Sequence, residues 1–196
     1  QNEETMNTDY LYLLKNRLRL NFWRGWAQMQ TARISSKILG GIAVTAELSA
    51  TLIKGDGTRI DLGVLSYRQV TTAFVNFVVD QLQTETSIFG DFKYHDSGVG
   101  VTGEAAGDTI IETTDGESRA TGTQTESAAN AYRSVGTISY TTTKAITEHG
   151  LFNDATTGTL MDRSVFSAIN VVNLDSIQFT YTLTLSSGGY TLTITA

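Results

Sequence analysis

Ile177, Phe179, Tyr181, Leu183 and Leu185 fall on every second position, and Gln178, Thr180, Thr182 and Thr184 separate them. A backbone that shows its side chains to alternate faces with period two is a β-strand, and a strand with one apolar row buries that face alone. The spacing predicts a strand over 176–186, a turn at Ser187, Gly188 and Gly189, and a return strand over 190–195 through Tyr190, Leu192 and Ile194. The same period recurs at Ile42, Val44, Ala46, Leu48, Ala50 and Leu52. After the turn residues Gly55, Asp56, Gly57 and Thr58 it resumes at Ile60, Leu62 and Val64. Further strands are predicted over 91–95, 119–124, 131–140, 146–152 and 159–167.

The chain has 196 residues, enough for one well-cored domain and short for two. It contains no cysteine, which excludes disulfides, thiolate metal sites and thiol nucleophiles. It also contains no proline, so turns fall to Gly, Asn and Asp. No apolar run approaches the roughly 20 residues that a bilayer crossing needs. Residues 1–9 are polar and acidic, without the basic and apolar regions of a secretion signal.

The fold expected is mainly β, a two-sheet antiparallel sandwich of jelly-roll-like topology over 41–196, preceded by an N-terminal amphipathic helix. That helix comes from Leu11, Leu14, Leu18, Phe22, Trp26 and Met29, spaced by three and four along one stripe, with Thr8 or Asp9 as its cap. Gly40 and Gly41 close the segment, giving an arm over 1–40. Val70, Phe74, Phe77, Val78 and Leu82 return to helical spacing and predict a short helix near 71–82. The stretch 97–117 is small and acidic and reads as a long surface loop.

Charge is segregated along the chain. The net charge is −6, yet between Tyr10 and Ala46 there is no acid and there are six bases, Lys15, Arg17, Arg19, Arg24, Arg33 and Lys37. From Glu47 onward, 17 acids face eight bases. A basic arm thus precedes an acidic body.

Three groups of segments carry a likeness to a known family. They are Phe92-Lys-Tyr-His95-Asp-Ser-Gly98 with Thr102-Gly-Glu-Ala-Ala-Gly-Asp108-Thr109, then Ala145-Ile-Thr-Glu-His-Gly150-Leu-Phe152, and finally Leu160-Met-Asp-Arg-Ser-Val165-Phe-Ser-Ala-Ile169-Asn-Val with Asp175-Ser-Ile-Gln-Phe-Thr180-Tyr. Together they resemble the small virion proteins of tailed bacteriophages, β-sandwich proteins that decorate the head or belong to the tail and its fibres. The resemblance covers roughly the C-terminal half. It implies a structural role in the particle and supplies no catalytic residue.

Each catalytic reading of these residues has a plainer competitor. His95 beside Asp96 and His149 beside Glu148 offer metal-ligand types, but neighbours on a strand point to opposite faces, so ordinary hydrogen-bonded strand-end residues are the better account. No Gly-x-Ser-x-Gly elbow is present, and the acids Asp108, Glu112, Asp115 and Glu117 fit a solvated loop better than a glycosidase pair. Gly98, Gly100 and Gly103 match Gly-x-Gly-x-x-Gly without the helix that a dinucleotide site requires. Tyr132, Tyr140, Phe152, Phe166, Phe179, Tyr181 and Tyr190 read as core before they read as a sugar platform.

The basic arm remains. Its cations and the indoles of Trp23 and Trp26 suit a nucleic acid or membrane surface, but docking of the helix on its own domain or on a neighbouring subunit is favoured, basic face against acidic body. The function expected is therefore non-enzymatic: a capsid decoration protein that self-assembles and attaches to the virion. Arg17, Arg19, Phe22, Trp23, Arg24 and Trp26 are its candidate assembly interface. Copies of itself and other virion proteins, such as the major capsid protein, are the expected partners, with no cofactor, metal, nucleic acid or membrane. The alternative is a tail, fibre or baseplate adaptor that binds a host surface receptor.

Overall fold

Phe179 lies at the centre of the molecule, fully buried between the rings of His149 and Phe166. The structure, a computed structural model, describes residues 20–39, 42–68, 70–83 and 92–187. In chain order these form α1 (Leu20–Leu39), β1 (Ile42–Ile53), β2 (Arg59–Arg68), α2 (Thr72–Gln83), β3 (Tyr94–Gly98), β4 (Ala120–Thr121), β5 (Thr123–Ala128), β6 (Ala131–Ser139), β7 (Lys144–Phe152), β8 (Leu160–Val171) and β9 (Ser176–Ser187). The strands make two antiparallel sheets, ordered β2-β1-β9-β6-β5 and β4-β3-β7-β8. The chain is mainly β, a sandwich with a helix at its N-terminal side, as the alternation predicts.

The core follows from register. Leu48 pairs with Tyr181, Ala50 with Phe179 and Leu52 with Ile177, so the even row of β1 and the odd row of β9 share the inner face. β9 is central, flanked along its length by β1 and β6. The expected return strand over 190–195 lies outside the described residues. In β2 the register slips twice against β1, and Leu62 and Leu65 are the two residues that enter the core. Simple alternation would have chosen Leu62 and Val64. Gly63, at φ 63°, makes the irregularity possible.

The two sheets are joined at a corner. β4 and β5 are separated by Gly122 alone, so one extended segment passes from the edge of one sheet to the edge of the other. Gly122 donates its N–H to the Lys93 carbonyl (2.7 Å), and a Cβ there would press on the His95 ring and the Ser134 hydroxyl.

Both helices lie outside the sheets. α1 packs on the outer face of β1 and β2, where Phe22 meets the Tyr67 ring edge-on at 5.5 Å and Ala43 and Thr45 are buried beneath it. Its buried row is Phe22, Gly25 and Met29. The predicted stripe ran through Trp26, but Gly25 presents no side chain and takes the contact, leaving Trp26 on the flank. α2 is capped by Thr71, whose hydroxyl accepts the Phe74 N–H (3.1 Å) and donates to the Leu160 carbonyl (2.6 Å). Phe74 and Phe77 meet Phe92 edge-on, whereas Leu82, expected on the inner stripe, is exposed.

Phe179→Ala empties the most enclosed aromatic site and should cost about 3–5 kcal/mol in urea unfolding at unchanged m-value. A loss below about 1 kcal/mol would place that ring outside the packed core.

Candidate functional site

The dipeptides His95-Asp96 and Glu148-His149 occupy the middle of β3 and β7, and the pleat divides each of them between two environments. His95 and His149 point between the sheets; Asp96 and Glu148 point outward. Both histidines are 0% exposed. They are interior residues, not the strand ends that the sequence suggested.

The histidines form a directional chain. His95 Nδ1 lies 3.0 Å from His149 Nε2, and His95 Nε2 lies 2.8 Å from Ser134 Oγ, while His149 Nδ1 has no hydrogen-bond partner. A lone pair is the cheaper group to leave bare in an apolar interior, since an orphaned N–H is the rarer defect. The geometry therefore favours His149 Nε2–H donating to His95 and His95 Nε2–H donating to Ser134. Gly136 is required alongside, because a Cβ there would overlap the His95 ring. Burial pushes His95 down to about 3, and burial together with its neighbour His95 pushes His149 well below its ordinary value. Both rings are neutral at pH 7.

On the outer face Glu148 gathers four donors. Its Oε1 accepts the N–H groups of Gly100 (2.9 Å) and Thr113 (2.8 Å), and its Oε2 accepts the N–H of Glu112 (2.9 Å) and Arg163 Nε (2.8 Å). The stretch 97–117, expected to be a long surface loop, is irregular and mostly exposed from Val99 onward, and it is drawn as a strap across the outer face of β7 and β8, with Asp108, Glu112 and Glu117 held in ion pairs. Arg163 pairs with Asp108 (3.1 Å) and Glu112 (3.2 Å) and donates to the Thr102 carbonyl (3.2 Å). Asp115 accepts from Ser97, and Glu117 receives Lys144 at 2.5 Å. Ile111 anchors the strap on Phe152 and Leu160. The Gly-x-Gly-x-x-Gly string has a different use here: a Cβ on Gly98 or Gly100 would overlap the Glu148 carboxylate, so these glycines permit a protein carboxylate, not a phosphate, to approach the backbone.

Asp96 is held by Arg119 (2.9 Å), whose guanidinium also stacks on the Phe152 ring at 3.4 Å and donates to the carbonyls of Asp154 and Thr157. Burial raises the Asp96 carboxyl despite that partner, whereas hydrogen bonds from Thr102 hold Glu112 low and Lys144 does the same for Glu117. Among the described residues no three histidine or carboxylate groups gather as a metal would need.

Where the strap meets Arg163, an open groove of about 420 Å³ is lined by Thr102, Asp108, Ile110, Ile111 and Glu112. Ile110 and Val101 stand 67% and 71% exposed on the strap. The surface carried by α1 lies on the opposite face of the sandwich. There Trp23 is 51% and Trp26 41% exposed, edge to face with each other at 6.0 Å, with Arg24 exposed between them. Of the predicted interface residues, Phe22 faces inward and anchors this surface; Arg17 and Arg19 lie outside the described residues. Sequence reasoning missed the Glu148–Arg163 staple, since nothing in the spacing of residues 100, 112, 148 and 163 announces it.

No protein-family model matches the chain, and no curated protein matches it.

Two outcomes test this interior. The unfolded chain titrates its histidines near the ordinary 6.5, so below that pH it binds protons that the folded pair refuses. Stability should fall as the pH drops from 6.5 toward about 3, by up to about 1.4 kcal/mol per pH unit for each histidine. Denaturant melts between pH 6.5 and about 5, above the ordinary carboxylate range, should show that slope, and His149→Gln should halve it. Glu148→Ala leaves Arg163 Nε and three backbone N–H groups without their acceptor; it should cost about 3–5 kcal/mol and open residues 99–117 to limited proteolysis.

Proposed function

We propose that the chain is a non-enzymatic structural protein of a tailed-phage virion, a decoration protein that coats the capsid through contacts with copies of itself and with the major capsid protein. One observation carries the binding role: two tryptophans stand half in solvent on a helix that Phe22 and Met29 fix to the sandwich. Exposed indoles flanking an exposed arginine on a packed helix have the composition of an interface hot spot, where large aromatic area is presented with little ordering cost. The virion setting rests on the resemblance of the segments around His95, His149 and Val165. A catalytic role for histidine finds no support in the geometry, because the only two in the chain are enclosed between the sheets.

The test is light scattering of the purified chain, alone and after co-sedimentation with undecorated capsids. The expected result is a stable oligomer that pellets with capsids, and a Trp26→Ser variant that loses about 2 kcal/mol of binding, roughly 30-fold in Kd. A trimer that ignores capsids and binds host cells would move the chain to the tail or fibre. A monomer that binds neither would end the structural reading.

A further inference from the structure

Among the described residues, two of the surfaces left open on the sandwich are opposite in position and opposite in charge. α1 covers the outer face of the larger sheet, over β1 and β2, while the strap covers the outer face of the smaller one, over β7 and β8. The helix Leu20–Leu39 contains Arg24, Arg33 and Lys37 and no acid. Residues 99–117 contain Glu104, Asp108, Glu112, Asp115 and Glu117 and no base. Each surface also exposes apolar area, Trp23 and Trp26 on the helix and Val99, Val101 and Ile110 beside the groove.

We propose that the outer face of α1 in one copy docks on the strap groove of the next, so that the chain assembles head to tail. This rests on the self-assembly reading above and names the two halves of its interface. Two physical arguments select this pairing. A symmetric contact of α1 with α1 centred on the indoles would bring Arg24 up to its own copy on a helix that has no acid to meet it, an arrangement that like charges oppose. The exposed row on α2, Val75, Val79 and Leu82, offers apolar area but a single acid, Asp80, whereas the strap offers five acids in 19 residues. In the proposed contact the indoles rest on Val101 and Ile110, and Arg24 reaches the rim formed by Asp108 and Glu112, whose charge exceeds what Arg163 neutralises. Because donor and acceptor lie on opposite faces of one body, each copy keeps an unused half, and the series closes only as a ring or continues as a filament.

A mixing experiment decides the matter. One variant, Arg24→Glu with Trp26→Ser, removes the donor half; another, Val101→Arg with Ile110→Arg, removes the acceptor half through side chains already in solvent. Wild-type chain should grow in mass with concentration, and added salt should reverse this. Each variant alone should sediment as a monomer, and a 1:1 mixture should stop at a dimer, since it contains one intact donor meeting one intact acceptor. That dimer also establishes that both variants are folded. Val79→Asp should assemble like the wild type. If the acceptor variant assembles like the wild type while the donor variant does not, α1 meets some other surface; the head-to-tail contact is then wrong and the self-assembly reading stands. If Val79→Asp is the variant that blocks assembly, the acceptor is α2 and the inference is equally overturned. If wild-type chain neither associates nor pellets with capsids, both readings fall.

Discussion

Glu148 is a carboxylate with 0% exposure on the outer face of a four-stranded sheet, and the strap over that face is arranged around it. An anion so enclosed is tolerable only when nearly every lone pair is used, and here three backbone N–H groups and a guanidinium fill them. The donors come from both ends of the strap and from the neighbouring strand, so one side chain fixes the start and end of a long irregular segment and the strand beneath it. Glycine at positions 98 and 100 follows from this arrangement, since any larger residue would displace the carboxylate. The strap in turn shields Phe152 and Leu160, which would otherwise leave an apolar patch on the outer face.

Turned one residue along the same strand, His149 belongs to the opposite layer. Its ring packs 4.6 Å from Phe179 and hydrogen-bonds to His95, so the inner face carries a polar seam through an otherwise apolar core. Ser134, Ser164 and Tyr181 are buried along the same interface. Such a seam contributes less through net energy than through register. A strand slipped by one residue would set Glu148 between the sheets and His149 under the strap, stranding a charge in the core and removing the staple's acceptor. The two layers therefore specify one pairing more sharply than alternating apolar residues do.

Alternation was enough to read the sandwich. Ile177, Phe179, Tyr181 and Leu183 announce β9, and the argument that His95 and Asp96 must face opposite ways is met in the structure, because both depend on the local geometry of one strand. What escaped was whatever required residues distant in sequence to meet. Asp108 and Glu112 read as solvated because Arg163, their shared counter-ion, is 46 residues past the strap's end. His95 read as a strand-end residue because its full burial depends on Gly122 and Gly136, whose missing side chains make room for the ring. On α1 the spacing named the right helix and misjudged its face by one residue, since a hydrophobic pattern does not count glycine as a contact.

How copies of such a body meet is constrained by its edges. A sandwich with open edge strands invites strand addition, but here those edges are blunted. β4 has two residues, β2 and β5 carry irregularities in their pairing, and β8 has backbone groups taken by Thr71 and by the Glu104 carboxylate. Association through added strands is thereby disfavoured, while the layers outside the sheets keep apolar and charged area in solvent. Under the proposed head-to-tail contact, assembly is a matter of side chains on α1 and on the strap, elements that depend on the sandwich for position but contribute little to its core. That separation leaves the contact surfaces free to change in composition without disturbing the register that Glu148 and His149 impose.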